Sequence, residues 1–176
     1  MERLKSMGKQ LSEEINYFPH AISWALSQDV SLLTRSLEAA SDKNVLAVGS
    51  GGSSTAAAFL AAMHEATFGK VSRWITPLEL VTRRSQTYSC SAVLISAEGK
   101  NKDILAAAES MIAAEIPGIA ITLTLGNALT DICRRTSAAT VASFSIPWQK
   151  DGYLATNTLV AVMILIARAY KASNLM

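Results

Sequence analysis

Five short runs of apolar residues recur along the chain, and segments with helical periodicity separate most of them. We expect these runs to form strands near residues 44–49, 71–75, 91–96, 119–124 and 140–145. Short, continuous apolar runs are typical of strands that are buried on both faces of a sheet. Their alternation with helices at a spacing of about 25 residues predicts βαβ units, in which a parallel sheet carries helices on both faces. The sequence therefore predicts a three-layer α/β fold.

Apolar side chains spaced three and four residues apart predict the helices. Phe18, Ile22, Ala25 and Leu26 share one face of an N-terminal helix, and a break near Asp29 divides the pattern. Later helices are expected at 56–66, 104–112, 127–135 and 152–172. We therefore expect an N-terminal helical arm over residues 1–43 and an α/β domain over residues 44–176, which together form one structural unit.

The composition excludes two classes of protein. Hydrophobic residues make up 50% of the 176 residues and charged residues 17%, whereas disordered chains combine low hydrophobicity with high net charge. Sixteen Lys and Arg against fourteen Asp and Glu leave a net charge of +2, which is too small for the basic surface of a nucleic-acid-binding protein. The low share of charged residues also indicates that another subunit covers part of the surface.

Neither cysteine belongs to a disulfide or metal-binding pattern. Cys90 and Cys133 show no Cys-x-x-Cys spacing and have no histidine close by in the sequence. We therefore expect a cytoplasmic protein without a bound metal or cofactor. The N-terminus also lacks the apolar run of a signal peptide.

The last predicted helix contains an apolar stretch of nine residues at 159–167. A membrane-spanning helix needs about 20 residues, so we expect a buried helix and no membrane association. A helix that is apolar all round must be covered on every side. The sheet covers one side, and we expect a partner subunit to cover the other.

The first predicted strand ends in a loop of glycine and hydroxyl residues, Gly-Ser-Gly-Gly-Ser-Ser-Thr at 49–55. Ligands of open parallel sheets bind at the carboxyl ends of the strands, near the point where the strand order reverses. Glycines let the backbone approach a ligand, free N–H groups at a helix N-terminus attract an anion, and Ser50, Ser53, Ser54 and Thr55 add donors. A tight turn capped by Ser53 or Ser54 is the simpler alternative. The loop matches neither a dinucleotide fingerprint nor a P-loop.

A second loop, Ser-Ala-Glu-Gly-Lys-Asn-Lys-Asp at 96–103, follows the third predicted strand. Ser96 stands at the strand end, and Asn101 is placed to cap the helix that follows. Lys100 and Lys102 could help to hold an anion, or they could be solvated surface residues.

The two loops together resemble those of the sugar isomerase (SIS) domain family, in which one strand ends in Gly-x-Gly-x-Ser and another in Ser-x-Ser-Gly-x-Ser/Thr-x-Asp/Glu. The resemblance covers residues 15–172 and implies a flavodoxin-like sheet of five parallel strands. It implies that Ser50, Gly51, Gly52 and Ser53 contact a phosphosugar or an amino or acetylated derivative. Members act as aldose–ketose isomerases, as related enzymes or as sensor domains of transcription regulators. They commonly form homodimers or homotetramers.

The second loop departs from the family pattern at two of its three hydroxyl positions. Ser96 occupies the first position, but Glu98 and Asn101 occupy the other two. A carboxylate in a phosphate cradle repels the ligand by about 1–4 kcal/mol unless it is compensated. Lys100 and Lys102 could compensate it, but the simpler interpretation is that the phosphate is missing, shifted or weakly held. We expect both loops to surround one cleft.

Aldose–ketose isomerisation needs a base that moves a proton between adjacent carbons and an acid that opens the sugar ring. The resemblance implies Glu and His in these roles. The base position of the heptose-phosphate isomerase branch is taken here by Ala62 or Met63. Asp151 lies close to the base position of the aminosugar isomerase branch, and we consider it as a catalytic residue. Asp151 could equally cap the last helix.

The two histidines are weaker candidates. His64 and Glu65 are adjacent on a helix and therefore point in different directions. His20 lies in the helical arm, where a packing or surface role is expected.

Two functions from different classes remain. The first is a SIS domain that binds a sugar or sugar-phosphate derivative and isomerises it, which the first loop and Asp151 favour. The second is a non-catalytic ligand-sensing or assembly module, which Glu98 and the lack of a glutamate at 62–63 favour.

Overall fold

The computed structural model describes residues 11–82, 90–148, 151 and 156–173. The strands are β1 Asn44–Val48, β2 Ser72–Ile75, β3 Cys90–Ile95, β4 Gly118–Thr122 and β5 Ala139–Ser143. The helices are α1 Leu11–Ser27, α2 Ser31–Glu38, α3 Gly52–Phe68, α4 Pro77–Thr82, α5 Lys102–Ala113, α6 Ala128–Cys133 and α7 Thr156–Ser173. Every strand begins and ends within two residues of its predicted bounds.

All five strands are parallel, in the order β2-β1-β3-β4-β5. This order confirms the α/β fold and the flavodoxin-like sheet that the loop motifs implied. The order reverses between β1 and β3, because the chain leaves β1 for β2 on one side and returns to β3 on the other. Val48 pairs with Leu94, so the carboxyl ends of β1 and β3 lie next to each other.

Helices cover both faces of the sheet. Alternate strand residues such as Leu46 and Leu94 point to the face that carries α4, α5 and α6. Their neighbours, such as Val45 and Val93, point to the face that carries α3 and α7. The central strands β1, β3 and β4 are apolar and buried almost throughout because helices cover both of their faces, whereas Arg73 and Trp74 of the edge strand β2 are exposed.

The outer side of α7 is covered by the helical arm. Leu33 and Leu37 of α2 belong to the same apolar core as Leu165 of α7. The guanidinium of Arg168 donates from Nη1 to the carbonyl oxygens of Ala25 and Gln28, at 2.7 Å each. The arm therefore supplies part of the cover that we expected from a partner subunit. The division between arm and domain at residue 43 stays a prediction.

None of the helices in the described ranges, α7 included, is both long enough and apolar enough to cross a bilayer. The structure accommodates the apolar stretch of α7 between the sheet and the helical arm.

The short helix α4 was not expected from periodicity, because six residues complete fewer than two turns. Its N-terminus nevertheless carries a local signal. The Glu79 N–H donates to Thr76 Oγ1 (3.3 Å), and the Thr76 N–H donates to Glu79 Oε2 (2.7 Å), which is a capping box. Pro77 occupies the first helical position, where its missing N–H costs nothing.

His64 is a buried residue of the core. Its Nε2 donates to the carbonyl oxygen of Lys43 (3.3 Å), so its Nδ1 is left to accept from the Tyr170 hydroxyl (3.0 Å). Lys43 directly precedes β1, which places His64 at the amino edge of the sheet, away from both glycine loops. Burial lowers the pKa of His64 because it disfavours the charged imidazolium.

We expect the stability of the fold to fall as the pH drops below 6.5, the ordinary pKa of histidine. The native state keeps His64 neutral while the unfolded state takes up a proton, so stability is complete above this pH and is lost below it. The slope is at most about 1.4 kcal/mol per pH unit, and it ends at the lowered native pKa.

Urea unfolding across this pH range measures the effect, and His64→Gln should flatten it. His20→Gln is the matched control, because His20 is exposed on α1. An unchanged pH slope in His64→Gln would contradict the assignment.

Candidate functional site

The first loop turns sharply from β1 into α3. A side chain at Gly49 would overlap with the carbonyl oxygen of Ser53, and Gly51 has a φ of +55°, which favours glycine. The Gly51 carbonyl accepts from both the backbone N–H (3.0 Å) and the hydroxyl (2.6 Å) of Ser54. The Ser54 hydroxyl is therefore engaged within the loop itself.

The N-terminus of α3 is open towards the carboxyl edge of the sheet. Its N-cap is Gly51, which has no side chain to cap the helix, so the serine cap considered above is not formed. Within the described part of the chain, the hydroxyls of Ser50, Ser53 and Thr55 make no hydrogen bond. The N–H groups of Ser53 and Ser54 donate to the carbonyl oxygens of Ser50 (3.1 Å) and Gly51 (3.0 Å), so the spare hydroxyls and the positive end of the helix dipole are what favour an anion here.

The second loop is held in place by its own polar groups. Ser96 Oγ accepts from the Gly99 N–H (3.2 Å), and Asn101 Oδ1 accepts from the Asp103 N–H (2.8 Å), which confirms Asn101 as the N-cap of α5. Glu98 forms an ion pair with Lys100. The carboxylate that departs from the family pattern is therefore compensated by a neighbouring cation.

The ends of the two loops meet at a small cavity of about 30 Å³. Its lining comes from α3, the end of β3 and the first turns of α7, namely Gly52, Ser53, Ala56, Ile95, Ala97, Thr158, Leu159 and Val162. A cavity of this size holds about one water molecule rather than a sugar.

The cavity brings part of the predicted site together. Gly52 and Ser53 of the first loop line the cavity, and so does Ala97, which lies between Ser96 and Glu98 in the sequence. The other predicted site residues stand in the same two loops but do not line the cavity, namely Ser50, Gly51, Ser54, Ser96, Glu98 and Asn101. Direct ligand contact by these residues stays a prediction.

Asp151 occupies the position of a helix cap. Its Oδ2 accepts from the backbone N–H (2.8 Å) and from the hydroxyl (2.7 Å) of Thr158, the third residue of α7. The residue is only 7% exposed. Because Thr158 lines the cavity, Asp151 lies directly behind the cavity wall. Its catalytic role stays a prediction.

A second buried carboxylate at the start of α7 was missed by the sequence analysis. Glu14 of α1 is 1% exposed, and its Oε2 accepts from the Thr156 hydroxyl (3.0 Å). Its backbone carbonyl accepts from the Asn157 side-chain amide (3.1 Å). A signal was available, because Glu14 precedes Phe18 by four residues and so falls on the apolar face of the arm.

The two helices that begin at the cavity, α3 and α7, therefore differ in the charge that surrounds their N-termini. Glu14 and Asp151 place two carboxylates at the N-terminus of α7, where they compensate the helix dipole. The N-terminus of α3 has no side-chain cap. An anion is consequently favoured at the first loop rather than at α7.

Replacement of Asp151 tests its capping role. We expect Asp151→Ala to lower the free energy of unfolding by about 1–2 kcal/mol, because the cap of α7 is lost. Asp151→Asn keeps an acceptor oxygen and should lose less than half of this. Chemical denaturation measures both changes, and Asn101→Ala provides the matched loss of a cap on α5. If Asp151→Ala were as stable as the wild type, the cap would contribute nothing.

The sequence matches no protein-family model and no curated protein. Solved structures do match. The NanR protein of Vibrio vulnificus, complexed with ManNAc-6P, has a TM-score of 0.74 at 17% identity, over 97% of this chain and 64% of NanR. Tagatose-6-phosphate ketose/aldose isomerase from Escherichia coli has a TM-score of 0.72 at 18% identity, over 96% of this chain and 50% of the isomerase. The c3406 protein of E. coli CFT073, in complex with a sugar phosphate, has a TM-score of 0.66 at 22% identity, over 94% and 93% of the two chains.

At these identities the likeness establishes the fold. The chain has the fold of phosphosugar isomerases and sugar-phosphate-binding proteins, which confirms what the two loop motifs implied. It spans less than two thirds of NanR and half of the tagatose-6-phosphate isomerase.

Proposed function

We propose that this chain is a sugar isomerase (SIS) domain that binds a sugar phosphate or a related sugar derivative at the carboxyl edge of its sheet. One observation carries the proposal. The loops that follow β1 and β3 leave adjacent strands at the reversal of strand order, and Ser53 and Ala97 line a common cavity there. Two neighbours of the same fold, NanR and c3406, hold sugar phosphates.

The phosphate is proposed to lie on the first loop. Ser50, Gly51, Gly52 and Ser53 surround the N-terminus of α3, which no side chain caps. The hydroxyls of Ser50 and Ser53 can donate there, at the positive end of the helix dipole. Ser54 contributes through the shape of the loop, because its hydroxyl is already bound to Gly51. The sugar would then extend towards the second loop.

The second loop is proposed to contact the sugar itself. Ser96 offers an acceptor for a sugar hydroxyl, and the Lys100 partner of Glu98 reduces the repulsion between Glu98 and a phosphate. The Asn101 side chain is occupied by its cap, so it contributes mainly by fixing the start of α5.

Isomerisation is the more demanding part of the proposal. A base would remove the proton from C2 of an open-chain aldose and return it to C1, while a second proton passes from the C2 hydroxyl to the former carbonyl oxygen through an enediol. Asp151 is the proposed base, since the cap uses only its Oδ2. A non-catalytic ligand-sensing or assembly module is the second candidate. It is favoured because the carboxylates of Asp151 and Glu98 are both engaged in structural contacts.

A thermal-shift screen tests the binding function. Sugar phosphates, including hexose and aminosugar phosphates, should raise the melting temperature, whereas unphosphorylated sugars and nucleotide sugars should have less effect. Ser53→Ala should reduce the shift, because it removes a hydroxyl without disturbing the turn. Ser36→Ala, a serine on the distant helix α2, is the control. No shift with any sugar phosphate would contradict the proposal, and turnover of a bound ligand would distinguish the isomerase from the sensing module.

The substitution Glu98→Ser tests the role of the second loop. We expect affinity for a sugar phosphate to rise about tenfold, because the change removes a negative charge and frees Lys100 to face the phosphate. Titration calorimetry with phosphorylated and unphosphorylated forms of one sugar measures it, and only the phosphorylated form should gain. Glu109→Gln is the control, since Glu109 pairs with Arg135 on an exposed helix surface. Weaker binding by Glu98→Ser would instead mean that Glu98 contacts the sugar.

We also propose that the chain forms a homodimer or homotetramer in the cytoplasm. The support is the exposed side of α1, where Ile15 (49% exposed), Ile22 (39%) and Leu26 (55%) form an apolar stripe. The helix carries no charged residue from Ile15 to its end at Ser27. Such a surface is unfavourable in water unless it is covered.

Analytical ultracentrifugation at micromolar concentration should therefore show a species larger than a monomer. The double substitution Ile22→Glu and Leu26→Glu should shift the protein to monomers, because it places two charges in the stripe. Leu125→Glu is the control, since Leu125 is 60% exposed on a different part of the surface. A monomeric wild type would contradict the proposed assembly.

A further inference from the structure

The second loop rests on the segment that follows β4. The Leu123 N–H donates to the carbonyl oxygen of Ala97 (3.0 Å), and the Leu129 N–H donates to that of Gly99 (2.9 Å). Two backbone hydrogen bonds therefore join a candidate ligand-binding loop to a segment that does not itself line the cavity.

Asn127 packs directly beneath Gly99. Gly99 is buried and has a φ of +61°, and a side chain at this position would overlap with the Asn127 amide. The Gly99 N–H is bound to Ser96 Oγ (3.2 Å), so the position of Gly99 is linked to that of Ser96. The close contact between Gly99 and Asn127 leaves no room for the loop to move inwards.

The amide of Asn127 is itself held in one orientation. Its Oδ1 accepts from the Thr130 N–H (3.1 Å), and its Nδ2 donates to Thr122 Oγ1 (3.2 Å) and to the Thr124 carbonyl (2.7 Å). The residue is only 9% exposed. An amide with fixed donors and a fixed acceptor cannot rotate without leaving buried polar groups unpaired.

The same network reaches the last strand. Thr122 Oγ1 lies 3.2 Å from Ser143 Oγ of β5. Side-chain hydrogen bonds of Asn127, Thr122 and Ser143 therefore connect the carboxyl ends of β4 and β5, and the packing of Gly99 on Asn127 joins the loop after β3 to them. Cooperative, fully satisfied networks of this kind hold a site rigid.

We propose that Asn127 is a positioning residue of the ligand site, which holds Gly99 and thereby presents Ser96 to the ligand. The proposal rests on the proposed sugar-binding function of the second loop. Asn127 does not touch the ligand. It acts through the shape of the loop above it, and binding groups held by such a supporting layer lose affinity when that layer is loosened.

The substitution Asn127→Asp gives the sharpest test. A carboxylate of the same shape keeps the acceptor that caps α6 but loses both donors to Thr122 and Thr124. Thr76→Ala is the matched control, because it removes the hydroxyl that accepts from the Glu79 N–H in the capping box of α4 and leaves the second loop alone. Asn127→Ala serves as the complete deletion.

The first readout needs no ligand. Amide hydrogen exchange at Gly99, measured by NMR, should become at least about tenfold faster in Asn127→Asp and stay unchanged in Thr76→Ala. Unchanged exchange at Gly99 would overturn the proposal whatever the ligand is. This measurement needs no bound sugar phosphate. A failure of the positioning proposal can therefore be distinguished from a failure of the proposed sugar-binding function.

The second readout is affinity for the tightest sugar phosphate among fructose 6-phosphate, glucosamine 6-phosphate and arabinose 5-phosphate. We expect about tenfold weaker binding in both Asn127→Asp and Asn127→Ala, and no change in Thr76→Ala. The neutral alanine separates lost positioning from repulsion of the phosphate by a new carboxylate. Ser96→Ala should weaken binding by a smaller factor in the Asn127→Asp background than in the wild type, because both substitutions act on Gly99. Equal affinities in Asn127→Asp and the wild type would contradict the positioning role.

Discussion

The parallel pairing of β1 with β3 is the constraint on which the candidate site depends. Neighbouring strands of a sheet lie about 4.8 Å apart, so the chain segments that leave Val48 and Ile95 begin side by side. The strand order reverses at this pair, which keeps the two segments from being covered by a crossover connection. Gly49 and Gly51 then allow the first loop to turn into α3 within this narrow space.

The cavity at this point is shaped by charge as well as by packing. Two helices begin beside it, and only α7 has carboxylates at its N-terminus. Burying Glu14 and Asp151 costs desolvation energy, which the hydrogen bonds from Thr156 and Thr158 and the helix dipole offset in part. The positive end of α3 remains available for a ligand. This asymmetry gives the two sides of the cleft different chemical roles.

The helical arm links the site to the rest of the core. Glu14 contacts the first turn of α7, and the backbone near Ala25 accepts hydrogen bonds from Arg168 further along the same helix. At the opposite edge of the sheet, His64 joins α3 to Tyr170 of α7. The arm and α3 thereby hold α7 near both of its ends, and this contact supports the cavity wall that α7 forms.

The local pattern of the sequence was sufficient for the strands, for most helices and for the two loops. Continuous apolar runs, helical periodicity and glycine–serine clusters are properties of neighbouring residues, and the physical preferences behind them act over short distances. The Thr76–Glu79 capping box shows that even α4 carried a local signal. The Asn101 cap was predicted for the same reason.

Only the tertiary structure decided which side chains contact each other across elements that are distant in the sequence. Thr156 and Glu14 are 142 positions apart, and nothing in either local sequence indicates the contact. Periodicity shows that a face of α7 must be buried, but it does not show that the helical arm covers it. Likewise, the glycine at 99 was visible, but its contact with Asn127 depends on how β3 and β4 pair. Local energetics select the elements, whereas the partners of buried polar groups follow from packing between elements that are distant in the chain.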